Sequence, residues 1–266
     1  MPIRLAKLFL CAAAAVAAVV MAAHMCGCEN IDGGKPWWDC RLSSNWDGPN
    51  ASRRMMNVLS PMFSDDKAKE YVKWQKDLGC DHVHLLFANG ENGEGGGYDC
   101  LADENARKTA LKRVRAIRLS GMGVVAWVVS DDSDAMRAKV FSDPKSYASS
   151  LSEFHPYLSY IVLGLEMDEG RGSMAEWKAL RDAIRDSGWD GPIATHHCSG
   201  RYTYAGLGTI VMDQLHPSCT PSQVKASVSR LVKMGYDVCG FEYARGRSRE
   251  KAQAALDAGA FSVGNW

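Results

Sequence analysis

Two glutamates, Glu166 and Glu242, each come directly after an apolar run of the kind that forms a buried strand. Each also stands two residues after a glycine, Gly164 in the first case and Gly240 in the second. Because side chains at positions i and i+2 of a strand share one face, each glutamate is expected above a position that has no side chain. Two carboxyl groups that face each other can cleave a glycosidic bond, since one protonates the leaving oxygen and the other attacks the anomeric carbon.

Other polar side chains also stand just after apolar runs, and they are candidates for binding the same substrate. They are Asn89 after the second run, Asp168 beside Glu166, His196 after the fifth run, Asp213, Gln214 and His216 after the sixth, Tyr243 and Arg245 after the seventh, and Trp266 after the eighth. We expect Tyr243, His216 and Arg245 to orient Glu242 or to tune its charge.

The elements that must position these residues alternate regularly from residue 55 onward. Short apolar, β-branched runs predict strands at 55–59, 83–88, 123–129, 160–165, 192–195, 209–212, 236–241 and 261–264. Amphipathic stretches between and after them predict helices over 65–78, 105–120, 146–157, 174–187, 222–234 and 249–258. This alternation predicts parallel βαβ units, and eight strands in one domain predict an α/β fold, a single (β/α)8 TIM barrel over residues 55–266. A doubly wound open sheet is the alternative, but the Gly-rich first turn of that fold is absent. No helix follows the eighth run, so the barrel is expected to lack its final helix.

The active site of such a barrel lies at the C-terminal ends of its strands, where the candidate residues fall. With Glu166 after the fourth run, Glu242 after the seventh and Trp266 after the eighth, residues 55–266 resemble the (β/α)8 glycoside hydrolases of clan A, which include cellulases and β-mannanases. The resemblance implies that Glu166 is the acid/base, that Glu242 is the nucleophile of a retaining mechanism, and that Trp266 stacks under the sugar. It also implies a poly- or oligosaccharide substrate and no cofactor. Retention requires carboxyl groups about 5–5.5 Å apart.

One residue departs from the clan pattern and keeps other interpretations open. Leu165 precedes Glu166, where the clan usually has an Asn that holds the sugar 2-hydroxyl. The chain is therefore also compatible with a non-catalytic carbohydrate-binding surface protein. The segment 164–169 loosely resembles the acidic motif of chitinase-type barrels, with 211–214 as a second element, and in that reading Asp168 and Glu169 gain importance while Glu242 loses it. A metal-dependent hydrolase would use His196, His197 and His216 with Asp213, although the favoured interpretation has no metal.

Several further polar residues have a simpler structural interpretation. Asp131, Asp132 and Asp134 are expected to cap the helix that follows the third run. His82 and His84 stand at the start of a strand, away from the mouth, and are expected to be structural. The Gly-rich loop 91–99 is expected to be either a mobile flap at the mouth, with Tyr98 as a candidate sugar contact, or a solvated loop of no particular role.

The N-terminal segment predicts export. Arg4 and Lys7 precede an uncharged apolar run, 8–23, which at roughly 16 residues is short for a membrane span and typical of a signal peptide. Gly27-Cys28 resembles a lipoprotein cleavage box, so we predict a signal peptide over 1–27, lipidation at Cys28 and an irregular segment over 28–54. The protein is then periplasmic or a cell-surface lipoprotein, and otherwise secreted, and it contacts the membrane only through its N-terminal anchor.

Composition and cysteine usage set outer limits on function. The 266 residues are 46% hydrophobic and 23% charged, which is typical of a soluble globular protein. With 31 basic and 31 acidic residues, the net charge gives no support for nucleic-acid binding. No CxxC pair occurs, which argues against a structural zinc site. Export permits disulfides among the later cysteines; Cys198 and Cys219 are the first candidate pair, and Cys239 is expected to be a buried thiol.

Overall fold

The computed structural model describes residues 58–77, 82–90, 97–214, 218–240 and 249–263. All of them belong to one compact unit of the chain, Pro36–Trp266. No helix in these ranges is long and apolar enough to cross a bilayer. The predicted signal peptide, Cys28 and the segment 28–54 lie outside the described ranges.

The strands of the described ranges form one curled sheet. They are β1 Val58–Leu59, β2 His82–Asn89, β3 Tyr98–Asp99, β4 Gly123–Val129, β5 Tyr160–Val162, β6 Ile193–His197, β7 Ile210–Asp213, β8 Asp237–Gly240 and β9 Ser262–Val263. Eight of them pair in parallel in the order β1-β2-β4-β5-β6-β7-β8-β9, and β3 pairs antiparallel with the end of β2. Parallel neighbours that follow the order of the chain are the arrangement of a (β/α)8 barrel. Among the described residues no pairing joins β9 to β1.

Helices follow most of the strands and begin and end at recognisable signals. They are α1 Asp65–Asp77, α2 Glu104–Leu119, α3 Asp134–Ser142, α4 Pro144–Ser152, α5 Met174–Asp186, α6 Pro221–Lys233 and α7 Arg249–Asp257. Ser173 with Glu176 and Thr220 with Gln223 form capping boxes that satisfy free N–H groups at the starts of α5 and α6. Gly188 and Gly235 follow the last turns of these two helices with positive φ, a conformation that glycine adopts without steric cost.

Apolar side chains of the strands alternate between two layers. In β4, Val124, Ala126 and Val128 pack in the large cluster shared with the helices. Val125 and Trp127 instead belong to the inner cluster, which also contains Leu86, Tyr160, Val162, Leu165, Ala194, Ile210, Met212 and Cys239. Both sides of the parallel sheet are therefore covered, and the C-terminal strand ends form a mouth above the inner cluster.

The fourth parallel strand, β5, ends earlier than its sequence predicted. It stops at Val162, and a Cβ added to Gly164 would lie 2.4 Å from a ring atom of Trp177, which is a residue of the helical layer. Leu165 then returns to the inner cluster. Glu166 therefore does not lie above Gly164 on one interior face, and that prediction is wrong, because the alternation of side chains breaks after the strand ends.

Two other elements differ from the sequence prediction. Helix α3 was not predicted, and the end of the predicted flap is strand β3, whose Tyr98 donates its hydroxyl hydrogen to the Leu86 carbonyl at 3.1 Å. Residues 91–96 of that loop lie outside the described ranges. The remaining strand and helix predictions agree with the structure to within a few residues at each end wherever their residues are described.

The cysteine and histidine predictions have different outcomes. The thiols of Cys198 and Cys219 are both free, so the predicted disulfide between them is wrong, whereas Cys239 is a buried thiol as expected. His82 is hydrogen-bonded to Ser159 at 2.9 Å, and His84 accepts the indole N–H of Trp127 on Nδ1 at 2.9 Å. Both histidines thus take part in packing within the sheet.

Candidate active site

The parallel register brings the ends of neighbouring strands to one edge of the sheet. His196 and His197 of β6 pair with Met212 and Asp213 of β7, so Gln214 follows directly beside them. On the other side, Ala88 of β2 pairs with Val129 of β4, which places Asn89 and Ser130 at the same level. Glu166 follows β5 between these two groups, so the sheet collects most of the described candidate residues at one mouth.

Glu166 is held at this mouth by contacts to His196 of β6 and to Gln214, the residue directly after β7. Its backbone N–H donates to Nδ1 of His196 at 2.8 Å, and one carboxylate oxygen, Oε1, accepts from the Gln214 side chain at 3.0 Å. The residue has φ +40°, a left-handed conformation that costs a non-glycine residue about 1 kcal/mol. The backbone turn, and not strand alternation, therefore directs the carboxyl group over the mouth.

The surroundings of Glu166 favour its protonated form. Burial raises the pKa of this carboxyl, the charge of Asp131 and a hydrogen bond between the two carboxyl groups raise it further, and the Gln214 amide partly opposes them, so that the pKa is about 7. A carboxyl group with a pKa near neutrality can both give and take a proton at physiological pH. Glu166 therefore has the environment of a general acid/base.

Asp131 was not predicted to be part of the site. It was expected to cap the following helix, but the side chain that accepts the Met136 N–H at the start of α3 is Ser133, at 3.2 Å. This leaves the Asp131 carboxyl to face Glu166. The sequence did contain a signal, since Asp131 stands just after the third predicted strand, but an acid in that position more often caps a helix.

The histidines beside Glu166 are buried and neutral. Burial lowers the pKa of His196 to about 3 and that of His197 to about 4. A neutral His196 that accepts a hydrogen bond on Nδ1 carries its proton on Nε2. Its ring also lies edge-on to Trp127 at 5.1 Å between centroids, which fixes its orientation beneath Glu166.

Asp168 joins the loop after β5 to the loop after β6. Its carboxylate accepts the backbone N–H groups of Cys198 at 2.9 Å and Ser199 at 3.0 Å, together with the Ser199 hydroxyl. Burial alone would raise the pKa of Asp168, but these hydrogen bonds hold it below its ordinary value. The side chain is 1% exposed, so the carboxylate is committed to protein partners.

Asp213 lies beneath the mouth and is fully buried. It accepts the hydroxyl of Tyr202, which also bonds to Ser227, and burial beside this carboxylate raises the pKa of Tyr202. Tyr202 is the second non-glycine residue with positive φ in the described part of the chain. Asp213 therefore anchors the strand end from which Gln214 reaches Glu166.

One group of donor atoms in the described ranges has the spacing of a metal site. Oxygens of Glu166 and Glu169 and the sulfur of Cys198 lie within 4.8 Å of one another. We assign no metal to them, because Glu166 already accepts from Gln214 and the Cys198 thiol donates to Asp168 at 3.5 Å. The histidine set predicted as an alternative metal site cannot be assembled here, since His216 lies outside the described residues.

Several predicted site residues fall outside the ranges that the structure describes. They are Glu242, Tyr243, Arg245, His216 and Trp266. Within the ranges, Glu166, His196 and Gln214 are in direct contact, Asp168 and Asp213 support the adjoining loops, and Asn89 is buried at the end of β2. The separation of Glu166 and Glu242 stays a prediction.

A curled parallel sheet whose strand ends collect polar side chains at one mouth is the arrangement of a (β/α)8 barrel, and solved glycoside hydrolases share this fold. The exo-β-1,4-mannosidase Op5Man5 from Opitutaceae bacterium strain TAV5 has a TM-score of 0.55 at 13% identity, over 86% of this chain and 50% of its own. The GH53 catalytic domain of Ignisphaera aggregans has a TM-score of 0.56 at 13% identity, over 85% of this chain and 84% of its own. A family 5 glycoside hydrolase from Bacteroides vulgatus ATCC 8482 has a TM-score of 0.54 at 14% identity, over 79% of this chain and 58% of its own.

These similarities concern the fold. The resemblance to clan A glycoside hydrolases that the sequence suggested is confirmed at that level, and the chain spans about half the length of the mannosidase. No protein-family profile matches the chain, and no curated protein sequence matches it either.

Proposed function

We propose that this protein is a glycoside hydrolase that cleaves a poly- or oligosaccharide with retention, with Glu166 as acid/base and Glu242 as nucleophile. The observation that carries the proposal is the placement of Glu166. It follows the fourth parallel strand of a glycosidase-like fold, its carboxyl is held by Gln214, and its pKa is about 7. The proposal includes closure of the eight strands into a barrel, which would bring the residue after β8 toward Glu166.

The experiment is hydrolysis of a panel of aryl glycosides and β-linked polysaccharides, beginning with β-mannosides because one protein of this fold is a mannosidase. We expect Glu166→Gln and Glu242→Gln each to lower kcat at least a hundredfold, since each removes one half of the carboxyl pair. Asp186→Asn is the control, because Asp186 is an exposed acid at the end of α5, away from the mouth. Retained anomeric configuration in the first product, followed by NMR, is the expected stereochemistry.

A second candidate function is carbohydrate binding without turnover. It is favoured by Leu165, which packs into the inner cluster in the position where the clan usually has Asn, and so offers no polar group to a sugar 2-hydroxyl. Sugar binding by the wild type, measured by calorimetry, without hydrolysis of any member of the panel would favour this function over the first.

We also propose that the protein is exported and tethered through a lipid on Cys28. The support is the sequence pattern of residues 1–28. Expression with labelled palmitate should label the wild type and not Cys28→Ala, and the variant should move from the membrane fraction to the soluble fraction. An unlabelled wild type would remove the lipid anchor from the proposal.

A further inference from the structure

Arg137 of α3 is a buried cation whose donors all point at backbone carbonyls. The residue has no exposed surface. Its guanidinium donates to the carbonyl oxygens of Ser130 at 3.0 Å, Glu166 at 3.3 Å, Glu169 at 2.7 Å, Arg171 at 3.1 Å and Leu165. Its plane also approaches the Trp177 ring, with 5.5 Å from the guanidinium carbon to the ring centroid.

Four of these five carbonyls belong to the segment 165–171, which follows β5 and contains Glu166. This segment contains no helix or strand, and two of its residues, Glu166 and Gly170, have positive φ. Two of its N–H groups bond outside the segment, that of Leu165 to the Val129 carbonyl and that of Met167 to the His196 carbonyl, both at 3.0 Å, whereas the Glu169 N–H donates to the Glu166 carbonyl at 3.0 Å. In a helix or a strand, carbonyls accept hydrogen bonds from backbone N–H groups. In this segment the Arg137 guanidinium donates to four of them instead.

Only an arginine can make this set of contacts. A guanidinium presents five N–H donors in a rigid plane, whereas a lysine ammonium is a point charge with three donors. Burial lowers the pKa of Arg137, while the charges of Asp131, Asp134 and Glu166 oppose that shift. The buried charge is thus partly balanced by the carboxyl groups of Asp131, Asp134 and Glu166, and the guanidinium also holds the Glu166 carbonyl.

We propose that Arg137 is the positioning residue for Glu166: by holding the carbonyls of 165–171 it fixes the strained turn that aims the Glu166 carboxyl at Gln214 and Asp131. This inference rests on the proposed function only in so far as Glu166 is the acid/base. Arg137 does not touch the substrate, and its contribution is to keep the carboxyl in place. A displacement of about 1 Å at such a group can lower a rate about a hundredfold.

The first test compares Arg137→Lys with Arg185→Lys. Arg185 is a matched control, because it donates to two backbone carbonyls, those of Trp189 at 2.9 Å and Gly191 at 2.6 Å, at the opposite end of the strands from the mouth. We expect Arg137→Lys to lower kcat about tenfold or more with KM changed less than about threefold, and Arg185→Lys to keep kcat within about twofold. Wild-type kcat in Arg137→Lys, or an equal loss in the control, would overturn the proposal.

A second pair of variants tests the contact between Arg137 and the segment 165–171 by changing the segment, so that the buried charge of Arg137 is kept. A Cβ on Gly170 would lie 3.0 Å from a terminal nitrogen of Arg137 at φ +67°, whereas a Cβ on Gly188 has no atom within 4 Å at φ +94°. Both alanine variants have positive-φ strain, but only Gly170→Ala presses on the guanidinium. We expect kcat to fall in Gly170→Ala and to stay unchanged in Gly188→Ala, and equal behaviour of the two would contradict the proposal.

A readout without substrate separates this inference from the proposed function. The amide ¹⁵N–¹H resonance of Glu166 reports its hydrogen bond to His196, and the ¹³C resonance of its carboxyl reports its environment. Both should move in Arg137→Lys and Gly170→Ala and stay in place in the two controls. If the wild type hydrolyses nothing while these resonances move, the proposed function fails and the positioning role stands; if they do not move, the positioning role fails.

Discussion

Replacement of Asp131 by Asn tests the origin of the Glu166 proton affinity. The pKa of Glu166 is raised from 4.5 to about 7, first by burial and then by the charge and hydrogen bond of Asp131. Asn keeps the size of the side chain but removes the charge, and its amide can donate to an ionised Glu166. Both changes favour the carboxylate, so the pKa of Glu166 should fall.

The size of the decrease in the Glu166 pKa depends on which causes of the raised pKa remain after the substitution. Burial, the largest cause, is unchanged, so only part of the rise is lost, and removal of one nearby like charge shifts a pKa by about one unit. An acid catalyst must be protonated, so the basic limb of kcat/KM should move from near pH 7 to about one pH unit lower. Activity at pH 8 should then fall about tenfold, which corresponds to about 1.4 kcal/mol, while activity at pH 5 changes little.

The assay is a pH profile of kcat/KM for the wild type, Asp131→Asn and Gln214→Leu. Gln214→Leu is the counterpart, because it removes the donor that lowers the pKa of Glu166 and should move the basic limb upward. A basic limb that stays in place in Asp131→Asn, or that moves in the same direction in both variants, would refute the conclusion that Asp131 raises the pKa of Glu166 and that Gln214 lowers it.

Three stability predictions follow from the same contacts. Because the pKa of Glu166 is higher in the folded state than its ordinary value, its contribution to stability is lost as the pH rises from 4.5 through 7. Glu166→Gln should therefore stabilise the protein by about 1 kcal/mol at pH 8, a figure reduced for the partial exposure of the side chain, and should not stabilise it at pH 4. Urea unfolding at the two pH values measures this difference. The pKa values of His196 and His197 are lowered to about 3 and about 4, so the unfolded chain binds these protons first as the pH falls. Stability should therefore decrease as the pH is lowered from 6.5 to 4. Urea unfolding of the Glu166→Gln variant measures this, because that variant lacks the opposite pH dependence of Glu166. Asp168→Ala leaves the donors of Cys198 and Ser199 without their acceptor and should cost about 2–3 kcal/mol at pH 7 by the same measurement, and a loss below 0.5 kcal/mol would contradict the assigned role.

Much of the fold could be predicted because most buried elements carry a clear apolar pattern. Strand β4 was predicted with its observed bounds, since all seven of its residues are apolar or glycine and all are buried. Helix α3 was missed for a physical reason: its two buried side chains are Val140 and Arg137, and a helix whose inward face includes an arginine has no apolar period to detect.

The candidate site was predictable where a residue type and a strand end coincide, and not where contacts across the mouth decide its role. Glu166 and Gln214 were predicted to lie at the mouth because each follows a strand, and the structure places their side chains in contact. The partnership of Asp131 with Glu166 depends on Ser133 capping α3, a choice between two residues two positions apart that the sequence does not settle. The disulfide prediction failed similarly, because neighbouring loops do not guarantee that two sulfur atoms face each other.

The carboxylate of Asp168 makes the loops after β5 and β6 a single mechanical unit. Replacing the segment around Glu169 alone with a loop from another protein would leave the amides of Cys198 and Ser199 without their acceptor. Such chimeras should exchange both loops together, so that the carboxylate and the two backbone N–H groups that donate to it come from the same protein.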